Sequence, residues 1–201
     1  MYQRAEIDMT GRMAVRPEAE SRTFLTGMAG AVVVAGLTMV GANIVIPLFP
    51  VPITLQTLFV LLAGAAIGGR YGSLGQVMYL AIGALGVPAF AGRIGGLAAF
   101  GGPTGGYLIS FLVVPIIVAA LLRYSRSITW LIFSYSIATV VIFAFGVAHL
   151  ALFYTHSASE AIRVGLLPFL PGAAIKIAAA VSISRSYWAL TSRRAKPVGA
   201  E

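Results

Sequence analysis

The sequence predicts an all-α membrane protein with six transmembrane helices, and three observations lead to that class. The 201 residues are 59% hydrophobic but only 10% charged, whereas a soluble domain carries roughly 25% charged residues. The mean hydropathy is +0.92. The charges are also segregated: no Asp, Glu, Lys or Arg occurs in 23–69, 71–92, 94–122 or 127–159. A spanning helix needs about 20 mostly apolar residues, so each gap has room for at least one crossing.

Pro, Gly and Arg divide the chain into its segments. The first is expected over 24–47, ended by the prolines of "NIVIPLFPVP", which cannot continue a helix. A short second segment covers 54–69, from "TLQTLF" to "GGR", and a third covers 72–89. The fourth spans 104–122 and stops at Arg123; the fifth spans 128–154. The sixth, 165–190, opens with "LLPFLPG", so its regular helix should begin near Pro171. Residues 1–22 mix four Arg with four acids and lack an apolar stretch, which reads as a cytosolic tail rather than a signal peptide. Residues 192–201 read as a second tail, leaving 23–191 as the membrane domain.

Orientation follows from the bases. With the amino terminus inside, the cytosolic side receives Arg4, Arg12, Arg16, Arg22, Arg70, Arg123, Arg126, Arg193, Arg194 and Lys196, against Arg93 and Arg163 outside. Six crossings then put both termini in the cytosol of a cell whose cytoplasmic membrane holds the protein. The loops "PLFPVPITLQ" and "FAGRIGGLAAFGGPTGGY" face outward. The net charge of +8 is explained by these juxtamembrane cations; no basic face with interleaved aromatics indicates nucleic acid. The chain has no Cys, which excludes disulfides and thiolate chemistry.

The stretch Gly92–Tyr107, "GRIGGLAAFGGPTGGY", holds seven glycines in sixteen residues. It has no GK pair and follows no strand, so it is not a nucleotide phosphate loop. Irregular backbone at membrane depth is tolerated where it lines a cavity or is packed in protein. Gly95, Gly96 and Gly105, with Arg93 and Tyr107, are therefore candidate binding residues. Lys176, in "FLPGAAIKIAAAVSISRSYW", is an intramembrane cation, and such a group is a functional candidate by default. No Asp or Glu lies in any predicted crossing, and Glu160, in "THSASEAIR", is expected to pair with Arg163. Lys176 and Arg93 thus lack protein counter-ions, and a small carboxylate would supply one.

Gln56 offers an amide donor and acceptor just inside a short helix, although it could equally bridge helices. Gln76 and Tyr79 carry the same two readings, and Asn43 is expected to satisfy backbone groups freed near "VIP". In "GMAGAVVVAG", Gly27, Ala31 and Ala35 repeat every four residues and make a smooth face for another helix, internal or a partner's. His149 and His156 are the only histidines, with no Asp nearby and no G-x-S-x-G. An intramembrane enzyme or a metal site is therefore disfavoured, and no cofactor is expected.

"PVPITLQTLFVLLAGAAIG", "YLAIGALGVPAFAG", "GGPTGGYLISF" and "LLPFLPGAAIK", in this order, resemble the BioY family, the biotin-specific components of energy-coupling factor (ECF) transporters. The resemblance implies an S-component fold that captures biotin near the outer face. It also implies two partners, a transmembrane coupling protein and cytosolic ATPases. A stand-alone carrier for biotin or a related carboxylate vitamer is the alternative. In such transporters an Ala-x-x-x-Ala face meets the coupling protein; here it is Ala31 and Ala35. The biotin carboxylate could meet Arg93 or Lys176, with Gln56 and loop backbone on the ureido ring and Tyr79, Phe90 and Tyr107 as apolar walls. One position departs from the family pattern: an Asp is usual three residues before the Lys, and Ala173 stands there.

Overall fold

The computed structural model describes residues 6–7, 13–14 and 17–194, so the remainder of both predicted tails lies outside the described residues. Helix α1, Pro17–Asn43, starts inside the expected amino-terminal tail, which carries one antiparallel pair, Glu6–Ile7 (β1) with Met13–Ala14 (β2). The helix ends at Asn43, whose amide donates to the Met39 carbonyl at 2.9 Å. This is short of the expected 47, because the chain turns into a second small hairpin. Val45–Ile46 (β3) pairs antiparallel with Ile53–Thr54 (β4), and the three prolines lie within or beside the connecting turn. The Leu55 N–H, donating to the Gly41 and Ile44 carbonyls, clamps the hairpin back onto the end of α1.

Helix α2, Gln56–Ala84, is two arms and not one rod, because Gly68 has φ 79° and ψ 170°. A side chain would be strained there; glycine is not. A methyl placed on Gly72 would stand 3.1 Å from the backbone of Ala63, although nine residues of continuous helix span about 13 Å. The chain therefore folds back at Gly68, and the predicted segments 54–69 and 72–89 are the two arms. The second arm packs on α1: Gly75 sits against the Ala31 carbonyl, and Gln76 donates to Thr38 at 3.1 Å.

After α2 comes the glycine-rich loop, with the short helix α3, Ala98–Gly101. The fourth predicted segment is broken into α4, Gly105–Ser110, and α5, Val114–Leu121, with Pro115 in the first turn of α5. Helix α6, Ile128–Phe153, is capped by the Ser127 hydroxyl. The short α7, Ala158–Gly165, leads through a turn to α8, Leu170–Arg194, which begins one residue before the expected Pro171. Among the described residues, four stretches are long and apolar enough to cross a membrane: Phe24–Asn43, Gln56–Ala84, Ile128–Phe153 and Ala158–Thr191. This is a helical membrane protein. Its core joins Leu61, Tyr79, Phe111, Leu131, Tyr135 and Leu150, while the outer sides of α1 and α6 keep Val32, Val40, Ile132 and Val140 exposed, as lipid contact requires.

Candidate functional site

A pocket opens where β4, the first arm of α2, α4, α6 and the start of α8 converge. It encloses about 660 Å³ of atom-free space counting its open mouth. Val51 and Pro52 of the hairpin form one side; Leu61, Phe111, Ile142 and Phe143 form the apolar floor and wall. Polar side chains are few: Thr54, Gln56, Thr57, Thr104, Thr139 and Lys176, beside the Tyr107 phenol. An apolar concavity with a few placed polar groups is the usual form of a small-molecule site.

Lys176 is the only charged residue lining this pocket. It stands in the second turn of α8, half-buried, and its Nζ donates to the Thr57 hydroxyl at 2.9 Å. That single bond leaves two of the three ammonium donors for something else. No carboxylate lines the pocket, and Glu160 is committed elsewhere: Arg163 donates to both of its oxygens at 2.9 Å on the protein surface. A half-buried cation without an anion is unfavourable in an apolar setting, so the pocket is suited to a ligand oxygen that is anionic or strongly polar.

Gln56 sits between two partners. Its Oε1 accepts from the Thr54 hydroxyl at 2.9 Å, and its Nε2 donates to the phenol oxygen of Tyr79. One amide N–H remains. Tyr79 and Phe90 do not line the pocket. They stand behind it, buried, with ring centroids 5.5 Å apart in an edge-to-face pair that continues to Phe100 at 5.6 Å. They brace the wall rather than form it. Tyr107 does line the pocket; its hydroxyl donates to the Gly165 carbonyl at 2.6 Å, and its ring stacks on Phe169 at 6.4 Å. The hydroxyl is used internally, so Tyr107 offers the pocket its ring.

The glycine-rich loop is packed in protein more than it is open to the pocket. Gly95 lies against the Val87 carbonyl, and the Gly96 N–H donates to the Gly83 carbonyl at 2.7 Å. Gly105 has backbone so close to the Phe100 carbonyl that a methyl would stand 1.9 Å from it. From this loop Ala91 and Thr104 reach the pocket. Arg93 does not line it: the residue is exposed, has φ 59°, and its side chain makes no hydrogen bond or ion pair with a described residue. His149 ties the loop to α6 by donating from Nε2 to the Gly102 carbonyl at 3.0 Å.

Ala31 and Ala35 are 0% and 3% exposed. In the chain by itself both are buried, and Gly75 of the second arm of α2 lies against the Ala31 carbonyl. The residues that sequence reasoning passed over are Thr57, Thr104, Thr139 and Phe169. Thr57 follows Gln56 directly, but its meeting with Lys176 spans 119 positions of chain, and no local pattern carries that.

Comparison with known proteins gives the chain its relatives. A sequence profile of the BioY family matches residues 12–193. The biotin transporter BioY of Thermotoga maritima is 40% identical over 148 residues, covering 74% of this chain and 87% of its own. The biotin transporter BioY of Rhizobium etli is 33% identical over 172 residues, covering 81% and 90%. A crystal structure of the S-component for biotin from an ECF-type ABC transporter is similar with a TM-score of 0.73 and 26% identity, over 87% of this chain and 94% of that one. A profile match along nearly the whole chain, relatives of this identity and coverage, and a shared fold lead to one conclusion: the protein belongs to the BioY family.

Proposed function

We propose that this protein binds biotin in the Lys176 pocket as the substrate-capture component of an ECF-type ABC transporter, and so carries biotin across the cytoplasmic membrane. It has no enzymatic activity of its own in this reading; a transmembrane coupling protein and cytosolic ATPases supply the energy. Six crossings place both termini in the cytosol and the pocket toward the outside. The observation that carries the reading is Lys176, a lone half-buried cation in an apolar pocket lined by no carboxylate, in a chain whose relatives are named as biotin transporters. Biotin brings what the pocket lacks: oxygens for Lys176 and the free Gln56 N–H, and an apolar ring and chain for Tyr107, Phe111 and Phe169. The threonine hydroxyls can accept from the ureido N–H groups.

Calorimetric titration of the detergent-solubilised protein tests this. One-to-one biotin binding is expected, with desthiobiotin competing. Lys176→Ala removes a charge-assisted hydrogen bond of about 1.5–3 kcal/mol, so affinity should fall about tenfold to hundredfold. Arg93→Ala, outside the pocket lining, should change it less than about threefold. Absence of biotin heat from folded protein, or an unchanged affinity in Lys176→Ala, would reject this site.

A further inference from the structure

A second pair of cavities joins at the end of the bundle opposite the Lys176 pocket, where the Gly68 turn meets the ends of α5 and α8. They share the walls Ala65, Ala66, Tyr187 and Trp188. One is apolar and runs along α1 and the first arm of α2, past Val33, Leu37, Phe59 and Leu62. Its one polar side chain other than the Tyr187 and Trp188 tips is Ser184, whose hydroxyl is held by Tyr135 at 2.5 Å. The other cavity is lined by Arg123, Arg126 and Thr191, and a neighbouring depression adds Arg185 and Ser127 beside Arg126. The Arg126 guanidinium lies 4.8 Å from the centre of the Trp188 ring, which holds that cation against the shared wall.

Arg123 and Arg126 thus line the cavity that joins the apolar groove, and Arg185 lines the depression next to it, beside Arg126 and Trp188. Among the residues whose side chains are described, the only carboxylate is Glu160, and it is paired with Arg163 at the start of α7. Among the described side chains, then, these arginines have no anion to face. From Lys176 to Arg185 is nine residues along α8, about 14 Å of helical rise, so this site is separate from the biotin pocket.

We infer that this groove is a site for one anionic phospholipid, its phosphate on Arg123, Arg126 and Arg185 and an acyl chain in the slot between α1, α2 and α8. The charge calls for an anion, and the groove calls for a hydrocarbon chain without hydrogen-bonding groups; an anionic phospholipid is a bilayer molecule that has both. Basic pockets between transmembrane helices, flanked by Trp and Tyr at the interface, take such headgroups. A free phosphate would leave the groove unfilled; a partner helix, whose peptide groups are paired internally, is the competing occupant that the test below separates.

Native mass spectrometry of the purified full-length protein, titrated with palmitoyl-oleoyl phosphatidylglycerol or phosphatidylcholine, tests the assignment. One phosphatidylglycerol should be retained at least about tenfold more tightly than phosphatidylcholine. Arg123→Gln with Arg126→Gln, both exposed positions, should reduce it to the phosphatidylcholine level, with unchanged biotin binding reporting an intact fold. Inorganic phosphate and glycerophosphoglycerol should not displace the lipid. Equal retention of the two lipids, displacement by either soluble anion, or a double variant that keeps its lipid but fails to associate with the coupling protein would overturn it. The last result would assign the arginines to a protein interface.

Discussion

Ala173 precedes Lys176 by three residues on α8, so the two side chains share one helix face and both line the pocket. A carboxylate at this position would add an acceptor for a ureido N–H, a charge-assisted bond of about 1.5–3 kcal/mol. Ala173→Asp is accordingly expected to tighten biotin binding by about tenfold to hundredfold, read by calorimetry under the same conditions as the parent. Weaker binding would mean that the new carboxylate pairs with Lys176 and competes with the ligand. At this scale the sequence was informative where a residue type was rare. Gln56 and Lys176 stand out in a chain with few amides and charges, Tyr107 stands out at the end of the glycine run, and all three line the pocket. Arg93 stood out for the same reason, yet its loop conformation turns it away from the lining. Thr57 and Thr139 were invisible because a threonine in a membrane helix is ordinary; only the fold, which sets Thr57 2.9 Å from the Lys176 Nζ, gives it a role.

Elements hold this pocket through close contacts that glycine permits. Gly146 on α6 faces the Tyr107 ring so closely that a methyl would stand 2.2 Å from it. Gly146→Ala must push the ring aside, straining its stacking on Phe169 and its bond to the Gly165 carbonyl. Overpacking of this kind costs about 1–3 kcal/mol. Thermal unfolding of the variant should shift down by several degrees, about 2–4 °C per kcal/mol for a chain of this size, and the stabilisation given by added biotin should shrink. Gly36→Ala on the same test should be neutral or slightly stabilising, since nothing lies within 4 Å of a methyl there and Ala is the better helix former. An unchanged midpoint in Gly146→Ala would refute the Tyr107 packing. Helix locations were legible from charge gaps and from Pro and Gly. The β3–β4 hairpin was not, because prolines announce the end of a helix without saying that the chain then doubles back to cover a pocket. Nor was the break inside the fourth segment, where Phe111 to Val113 separates α4 from α5.

For the whole molecule, the arrangement across the membrane rests on the distribution of arginines, ten bases against two on the proposed orientation. The absence of cysteine makes a direct test simple, because any single Cys introduced is the only thiol. Leu97, in the glycine-rich loop, is 75% exposed and Tyr124, between α5 and α6, is 81% exposed; among the described residues, the only ring contact given up is that of Tyr124 with Trp130, centroids 6.2 Å apart at the surface. In right-side-out membrane vesicles, Leu97→Cys should react with a membrane-impermeant maleimide without permeabilisation, and Tyr124→Cys only after it. The same pair bears on the number of crossings. Between the two positions the chain passes through α4 and α5, together 104–122 in the sequence reading, and opposite labelling means that this broken segment crosses once despite being interrupted. Labelling of both positions from outside would turn that segment into a re-entrant hairpin, change the count from six, and place the Arg123 and Arg126 cluster on the same side as the biotin pocket. Labelling of Tyr124→Cys alone would invert the protein and put the Lys176 pocket toward the cytosol, which no uptake function could use.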